Sequence, residues 1–306
     1  WPRDHVHRRR TGDGRSLRTR GLMADWGEWI GREQRAVDRL DPASAARWHA
    51  TFDRGAPASA AMPQGIHFCL CTPEAPTAQL GPDGHPLRED QPASFLPPIP
   101  LPRRMWASSA IRFHRPIAVG ASIERVSRVV SITPKSGNRG DMVFVEIDHE
   151  TSADGEPAVS ERQTAVYLEA LANDAKLSPP EPGEGRFDPT AWDSHRVLLP
   201  DERLLFRYLA LTFNTHRIHY DAPYARDIER YRGLVVHGPL TASLLLQLAA
   251  ERFGENRLAT FSFRGLSPAV ANEPLHLVLR GTDDAIAIAA FADDGRQVTK
   301  ASATLA

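Results

Sequence analysis

From Met105 to Ala170 apolar and polar side chains alternate with a period of two: Val143, Val145 and Ile147 interleave with Phe144, Glu146 and Asp148, and Thr164, Val166 and Leu168 with Ala165, Tyr167 and Glu169. Such alternation lets a pleated strand bury one face. Gly120, "KSGNRGD" and "ADGEP" interrupt the stretch with turn residues, so four antiparallel strands are expected. The same pattern returns near the C-terminus in four further runs: Phe261 and Phe263; Leu275, Leu277 and Leu279; Ile286, Ile288 and Ala290; and Val298 to Leu305. Between the two sets lies "PLTASLLLQLAAERF", apolar on most faces until Gln247 and Glu251, with Pro239 where a first helical turn tolerates it. A helix apolar on most faces has to be surrounded, which predicts a helix wrapped by sheet.

The remaining segments divide the chain. Trp26, Trp29, Ile30, Val37, Leu40, Trp48 and Phe52 recur at spacings compatible with helical faces, broken at Asp41 and Pro42, which predicts two consecutive helices. Ala56 to Pro102 holds eleven of the 25 prolines and predicts a long irregular excursion, whose Phe68, Leu70, Phe95, Leu96, Ile99 and Leu101 favour packing on something. "SPPEPGEG" reads as a linker. The expected organisation is an N-terminal unit over 23–172, a linker over 173–196 and a C-terminal unit over 197–306. Each unit offers helix plus antiparallel sheet, an α+β class.

Composition excludes several functions. No apolar run approaches the ~20 residues that span a bilayer, and no signal peptide precedes the first patterned segment, so neither membrane nor secretion is expected and a cytoplasmic location is the default. Cys69 and Cys71, one residue apart, are too close for a good disulfide and too few for zinc; they read as reduced thiols. Trp1 to Arg20 carries seven arginines against two aspartates, and removing it takes the net charge from -1 to about -6. The folded part is therefore a poor nucleic-acid surface. The basic stretch reads either as a polyanion-binding arm or, preferably, as a disordered or non-native extension over 1–22, since patterned sequence starts at Met23 in "MADWGEWIG".

Chemistry concentrates in "LTFNTHRIHYDAPYA", where Asn214, His216, His219 and Asp221 lie close together. Two histidines at i and i+3 lack a third ligand at fitting spacing, so no metal is expected. Imidazole titrates near neutrality, and the spacing suits proton transfer, although two histidines satisfying loop backbone would look the same. A second element, "GLVVHGPLTA", sets His237 and Gly238 at the start of the apolar helix. Free amides at a helix N-terminus can polarise a carbonyl, and glycine admits close approach. The conjunction is more specific than either element.

"FNTHRIHYDAPYA" followed by "GLVVHGPLTASLL" resembles the MaoC-type, or hydratase 2, acyl-thioester hydratases and dehydratases. "LGPDGHPLRED", "FLPPIPLPRRMWASS" and "IRFHRPIAVG" resemble the N-terminal half of the mesaconyl-C4-CoA and itaconyl-CoA hydratase branch, related to the type 2 hydroxyacyl-thioester dehydratases. The resemblance spans Asp25 to Ala306 and implies a double hot-dog fold, two helix-wrapped antiparallel sheets packed as a pseudo-dimer, with a homodimer of such chains as the implied assembly. The family motif runs Asp, any residue, Asn, Pro, an apolar residue, His. Here these places hold Asn214, Thr215, His216, Arg217, Ile218 and His219. His219 thus falls on the catalytic histidine, and Asn214 replaces the catalytic aspartate, where an amide cannot act as a base.

The implied reaction is reversible hydration of a short dicarboxylic enoyl-CoA, with CoA as part of the substrate and no cofactor. His219 would activate water, Asn214 orient it, the Gly238 amide polarise the thioester, and Asp221, His216 and His237 support the site. Arg103, Arg104 and Arg217 are the expected contacts to CoA phosphates. The N-terminal half, without a histidine-glycine pair, is expected to shape the acyl pocket, with Leu80 to Pro102 as one wall, and Tyr224 and Ala225 are expected to pack behind the site. Two alternatives stand beside this reading: a 3-hydroxyacyl-ACP or 3-hydroxyacyl-CoA dehydratase, and a non-catalytic thioester-binding subunit.

Overall fold

Eight of the ten strands lie where the alternating stretches or their flanks place them, and all ten join a single sheet. The computed structural model describes residues 26–55, 59–87, 94–137, 140–172 and 174–306. The expectations for residues 1–22 and Met23 lie outside the described residues. The strands are β1 (Glu33–Arg39), β2 (Arg103–Phe113), β3 (Ser122–Gly137), β4 (Gly140–Ala153), β5 (Glu156–Leu168), β6 (Ser194–Leu198), β7 (Leu258–Gly265), β8 (Leu275–Arg280), β9 (Ile286–Ala292) and β10 (Gln297–Leu305). Their order across the sheet is β1-β3-β4-β5-β2-β7-β10-β9-β8-β6, with every neighbouring pair antiparallel. The halves meet at β2 and β7, paired from Ser108 with Arg264 to Arg112 with Thr260.

Among the described residues three α-helices accompany the sheet: α1 (Pro42–Thr51), α2 (Glu202–Thr212) and α3 (Gly238–Phe253). In α3 every residue from Leu240 to Ala249 is buried, as an all-round apolar pattern requires, and Leu240, Leu244, Leu245 and Leu248 share one core with Phe261, Leu277 and Ile288. Burial of each such side chain is worth about 1.5–3 kcal/mol, so this helix anchors the C-terminal half. Its first turn is therefore a rigid place from which to present a ligand contact. Among the described residues no helix is long and apolar enough to cross a membrane.

Three expectations are corrected. The first of the two helices expected before Phe52 is β1, whose charged sequence pairs with β3 from Glu33 opposite Arg128 to Arg39 opposite Ser122. Main-chain pairing with a neighbouring strand overrides local spacing there, and Val37 is left 74% exposed on the sheet edge. Asp41 and Pro42 open α1, the Asp41 carboxylate accepting from the Ala43 and Ser44 amides. The expected linker ends in β6, which pairs with β8. The N-terminal half also has no counterpart of α3 among the described residues; Ile66, Phe68 and Leu70 of the irregular excursion join α1 in the core instead.

Candidate active site

Helix α2 stops where Phe213 takes a left-handed conformation, and its Leu209 carbonyl accepts from the Asn214 amide at 3.0 Å. The Asn214 side-chain oxygen then accepts from the His216 amide at 2.9 Å, which bends the chain into the short 3-10 turn Arg217–His219. Two bonds fasten this turn to the strand-like segment leading into α3: the Val235 amide donates to the Ile218 carbonyl at 3.0 Å, and His219 Nδ1 lies 2.6 Å from the Val235 carbonyl oxygen. A carbonyl can only accept, so Nδ1 carries the hydrogen and Nε2 presents its lone pair. Burial holds the His219 imidazole down to about 4, so at neutral pH it is the neutral, proton-accepting form.

His237, the residue before α3, stacks on His219 with ring centroids 3.6 Å apart. It is 2% exposed, and neither of its ring nitrogens has a partner among the described residues. Unpartnered buried polar atoms beside a neutral base mark a place where a ligand group is wanted. No side chain caps α3, and a Cβ built on Gly238 would meet nothing within 4 Å. Gly238 is exposed, so a ligand can approach the first turn of the helix closely, at the positive end of the helix dipole.

The N-terminal half completes the site through a tight turn. Gly84, at φ +87°, lies so close to the motif that a Cβ on it would stand 1.8 Å from the Thr215 carbonyl oxygen. Thr215 Oγ1 donates to the Gly84 carbonyl, the Arg217 amide to the Asp83 carbonyl at 2.9 Å, and Arg217 Nη1 to the Pro82 carbonyl at 2.8 Å. This docking brings in a carboxylate–imidazole dyad, Asp83 Oδ2 to His85 Nδ1 at 2.9 Å, and the His85 ring packs on His216 at 4.1 Å. His216 in turn meets His219 edge-on at 5.3 Å. Burial raises the Asp83 carboxyl, but the bonds and charge from His85 outweigh it and hold the group down to about 2. Asp83, His85 and His216 each bring one ligand atom within 4.8 Å of the others, a cation-compatible set that the sequence does not bring together. The direct Asp83–His85 bond and the ring packing account for the arrangement without an ion.

The Asp221 carboxylate accepts from the Arg217 guanidinium at 2.7 Å and from the Tyr224 amide at 3.1 Å, so it braces the turn, and His219 is oriented by Val235 instead. Of the arginines expected at the CoA phosphates, Arg217 pairs with Asp221 and donates to the Pro82 carbonyl, and Arg103 pairs with Glu229 at 2.7 Å and reaches Tyr231 at 3.5 Å. Pro82 to His85 of the proline-rich wall dock on the motif; Ile99 and Leu101 pack against Val129, Val143 and Tyr167 of the sheet, and residues 88–93 lie outside the described residues. Tyr224 and Ala225 pack beneath the turn with Ile218, Tyr231 and Val235. Asp83 and His85, not singled out from the sequence, sit in "GPDGHP", where a glycine between two titratable groups is the available signal.

The buried histidines give the fold a definite acid response. His67, His149, His216 and His219 are held at about 3, 4, 2 and 4, in each case chiefly by burial, against 6.5 for the free side chain. The unfolded chain therefore binds more protons below pH 6.5, so the stability these groups contribute is full above 6.5 and lost as pH falls through their folded values. Glu161, pushed up by burial, has the opposite slope above its ordinary 4.5, one group against four. Urea midpoints should fall steadily between pH 6.5 and about 4; a flat profile would contradict the burial of these rings.

A groove of about 1410 Å³ opens elsewhere, lined in part by His49, Phe52, Leu204, Phe206, Gln247 and Glu251. None of Asn214, His216, His219 and His237 lines it, so volume and chemistry point to different places, and the candidate site is the one with the chemistry.

Comparison with known proteins gives the family and the fold. A family model for hydroxyacyl-thioester dehydratase type 2 matches residues 65–271. The mesaconyl-C(4)-CoA hydratase of Chloroflexus aurantiacus is 40% identical over 285 residues, 92% of this chain and 98% of that protein. The mitochondrial hydroxyacyl-thioester dehydratase type 2 of Schizosaccharomyces pombe is 27% identical, covering 71% of this chain and 77% of its own. Among solved structures, a MaoC-like dehydratase from Phytophthora capsici superposes with a TM-score of 0.67 at 12% identity, over 92% of this chain and 98% of that one. A Mycobacterium tuberculosis protein described as having a double hotdog fold superposes at 0.54, over 90% of this chain and 96% of that one. At such identities these structures establish the fold alone, a double hot-dog.

Proposed function

The chain belongs to the hydroxyacyl-thioester dehydratase type 2 family, and from that footing we propose that it is a hydro-lyase adding water reversibly across the double bond of a short dicarboxylic enoyl-CoA, of the mesaconyl-C4-CoA or itaconyl-CoA type. The observation that carries the reading is the neutral His219, its Nδ1 hydrogen held by Val235, one stacked ring away from the open first turn of α3.

The steps follow from these positions. With the thioester oxygen at the Gly238 amide, electron density drawn from the double bond onto that oxygen meets a fixed donor and the helix dipole. Water attacks the β-carbon as His219 Nε2 takes its proton. The imidazolium then returns that proton to the α-carbon while the thioester carbonyl re-forms, so one H and one OH are added and His219 ends as it began. A single imidazole thus serves as base and acid, and no second base is required at residue 214. Asn214 spends its oxygen on the His216 amide, leaving its NH₂ to hold the water. CoA enters as part of the substrate.

The dehydratase of longer 3-hydroxyacyl thioesters runs the same steps in reverse, and the similarity to the yeast dehydratase keeps it as the second reading. Rates on mesaconyl-C4-CoA, itaconyl-CoA, crotonyl-CoA and octenoyl-CoA, followed by loss of enoyl-thioester absorbance, separate the two. A diacid should be turned over fastest; fastest turnover of octenoyl-CoA would favour the dehydratase, and absence of turnover on all four would sink both.

A further inference from the structure

On the hydratase reading, from which this inference proceeds, His219 turns positive each time it takes a proton from water. Its Nδ1 hydrogen goes to the Val235 carbonyl at 2.6 Å rather than to a carboxylate. The carboxylates of the site are engaged elsewhere, Asp221 with Arg217 and Asp83 with His85, and among the described residues none pairs with His219. His219 is 7% exposed. An imidazolium so enclosed is costly unless a neighbouring group interacts with its charge.

The group in contact is the His237 ring. Its centroid stands 3.6 Å from that of His219, with the planes 21° apart, so the rings lie face to face. Burial keeps His237 uncharged, its nitrogens bond to nothing among the described residues, and the Tyr208 ring of α2 packs against it at 5.2 Å. What it presents to His219 is a neutral aromatic face. Such a face carries the negative side of the ring quadrupole and attracts a cation within about 6 Å of its centroid, most strongly where water is excluded. The charge of an imidazolium spreads over its ring, so near-parallel stacking sets that charge over the face. On another side of His219 stand His216, edge-on at 5.3 Å and likewise kept neutral by burial, and beyond it the Asp83–His85 pair.

We propose that His237 is a positioning residue for the reaction, whose ring face stabilises the imidazolium formed at His219 in the transition state. It acts through His219, in the role that a carboxylate plays behind the histidine of an acyl-transfer triad.

The test varies the face while keeping its shape. His237→Phe keeps an aromatic face and gives up the nitrogens, His237→Leu gives up both, and His237→pentafluorophenylalanine keeps the shape of phenylalanine while reversing the sign of its face. On mesaconyl-C4-CoA, kcat of the leucine and pentafluoro variants should lie about 10- to 30-fold below that of His237→Phe, with KM within about threefold, because the charge exists only once water has given up its proton. The comparison is among variants, so any contact made by the ring nitrogens of the parent cancels. Nitrogen NMR of His219 gives a readout independent of turnover. Its protonation, held by burial to about 4 in the parent, should set in about one pH unit lower in the pentafluoro variant than in His237→Phe. Equal kcat in His237→Phe and His237→Leu, or the same kcat and the same onset in the two aromatic variants, would overturn the proposal. The two aromatic variants share one shape, so they decide the matter even where the leucine variant fails to fold. If the parent hydrates no enoyl-CoA, the hydratase reading fails, and the NMR pair still decides whether the face at residue 237 interacts with the charge of His219.

Discussion

Exchanging His219 for glutamine should lower kcat for enoyl-CoA hydration by about 10²- to 10⁴-fold, the range general acid–base catalysis supplies. Glutamine keeps an N–H within reach of the Val235 carbonyl, so the bond that fastens the turn can persist while the Nε2 lone pair is lost. The unfolding midpoint of the variant should therefore lie near that of the parent, which separates a chemical loss from a structural one. The parent enzyme supplies a second check. Because burial holds His219 at about 4, the acid limb of kcat/KM should fall well below the 6.5 of an ordinary histidine. An acid limb centred near 6.5 would mean that a different group takes the proton.

Exchanging Gly84 for alanine should be nearly as damaging, for a different reason. The new Cβ would stand 1.8 Å from the Thr215 oxygen and 2.7 Å from its carbonyl carbon, both backbone atoms that no rotamer change can move aside, and φ is +87°. The turn has to lift, which breaks the bonds from Thr215 to Gly84 and from Arg217 to Asp83 and Pro82. At about 0.5–1.5 kcal/mol for each bond, plus about 1 kcal/mol for the left-handed backbone, the loss approaches a few kcal/mol of local stability. It falls on the surface that orients His216 and His219, so kcat/KM should drop by about 10²-fold or more. Gly155 is the control: it also has positive φ, at +83°, but a Cβ there meets nothing within 4 Å. Gly155→Ala should lose stability modestly and leave kcat/KM unchanged. Equal activity in the two variants would show that the turn has no part in the site.

The strands and α3 were legible because their patterns report burial directly: alternation for a sheet with one face covered, an all-round apolar run for an enclosed helix. β1 was not, because "EQRAVDR" has no apolar face and is specified by the ladder it forms with β3. At the site, "NTHRIH" and "VVHGPL" were readable as two elements of one chemistry, and the structure stacks His219 on His237. The contribution of Asp83 and His85 was hidden, since it rests on main-chain contacts such as that from Thr215 to Gly84, 131 residues apart. The arginines illustrate a second limit. Whether a guanidinium is free depends on the nearest carboxylate, and Glu229 lies 126 residues from Arg103. Only the fold shows that Arg103 pairs with Glu229 and Arg217 with Asp221.

The most direct test of the account is the fate of water at this site. The purified protein would be incubated with mesaconyl-C4-CoA in water labelled with heavy oxygen, and the products weighed by mass spectrometry. The account predicts an intact CoA thioester heavier by one water, with the label in a hydroxyl on the acyl chain, and loss of that product in His219→Gln. Release of free CoA with the label in a carboxylate would mean thioester hydrolysis, and an unlabelled, unchanged substrate would mean no hydratase at all; either would contradict the account.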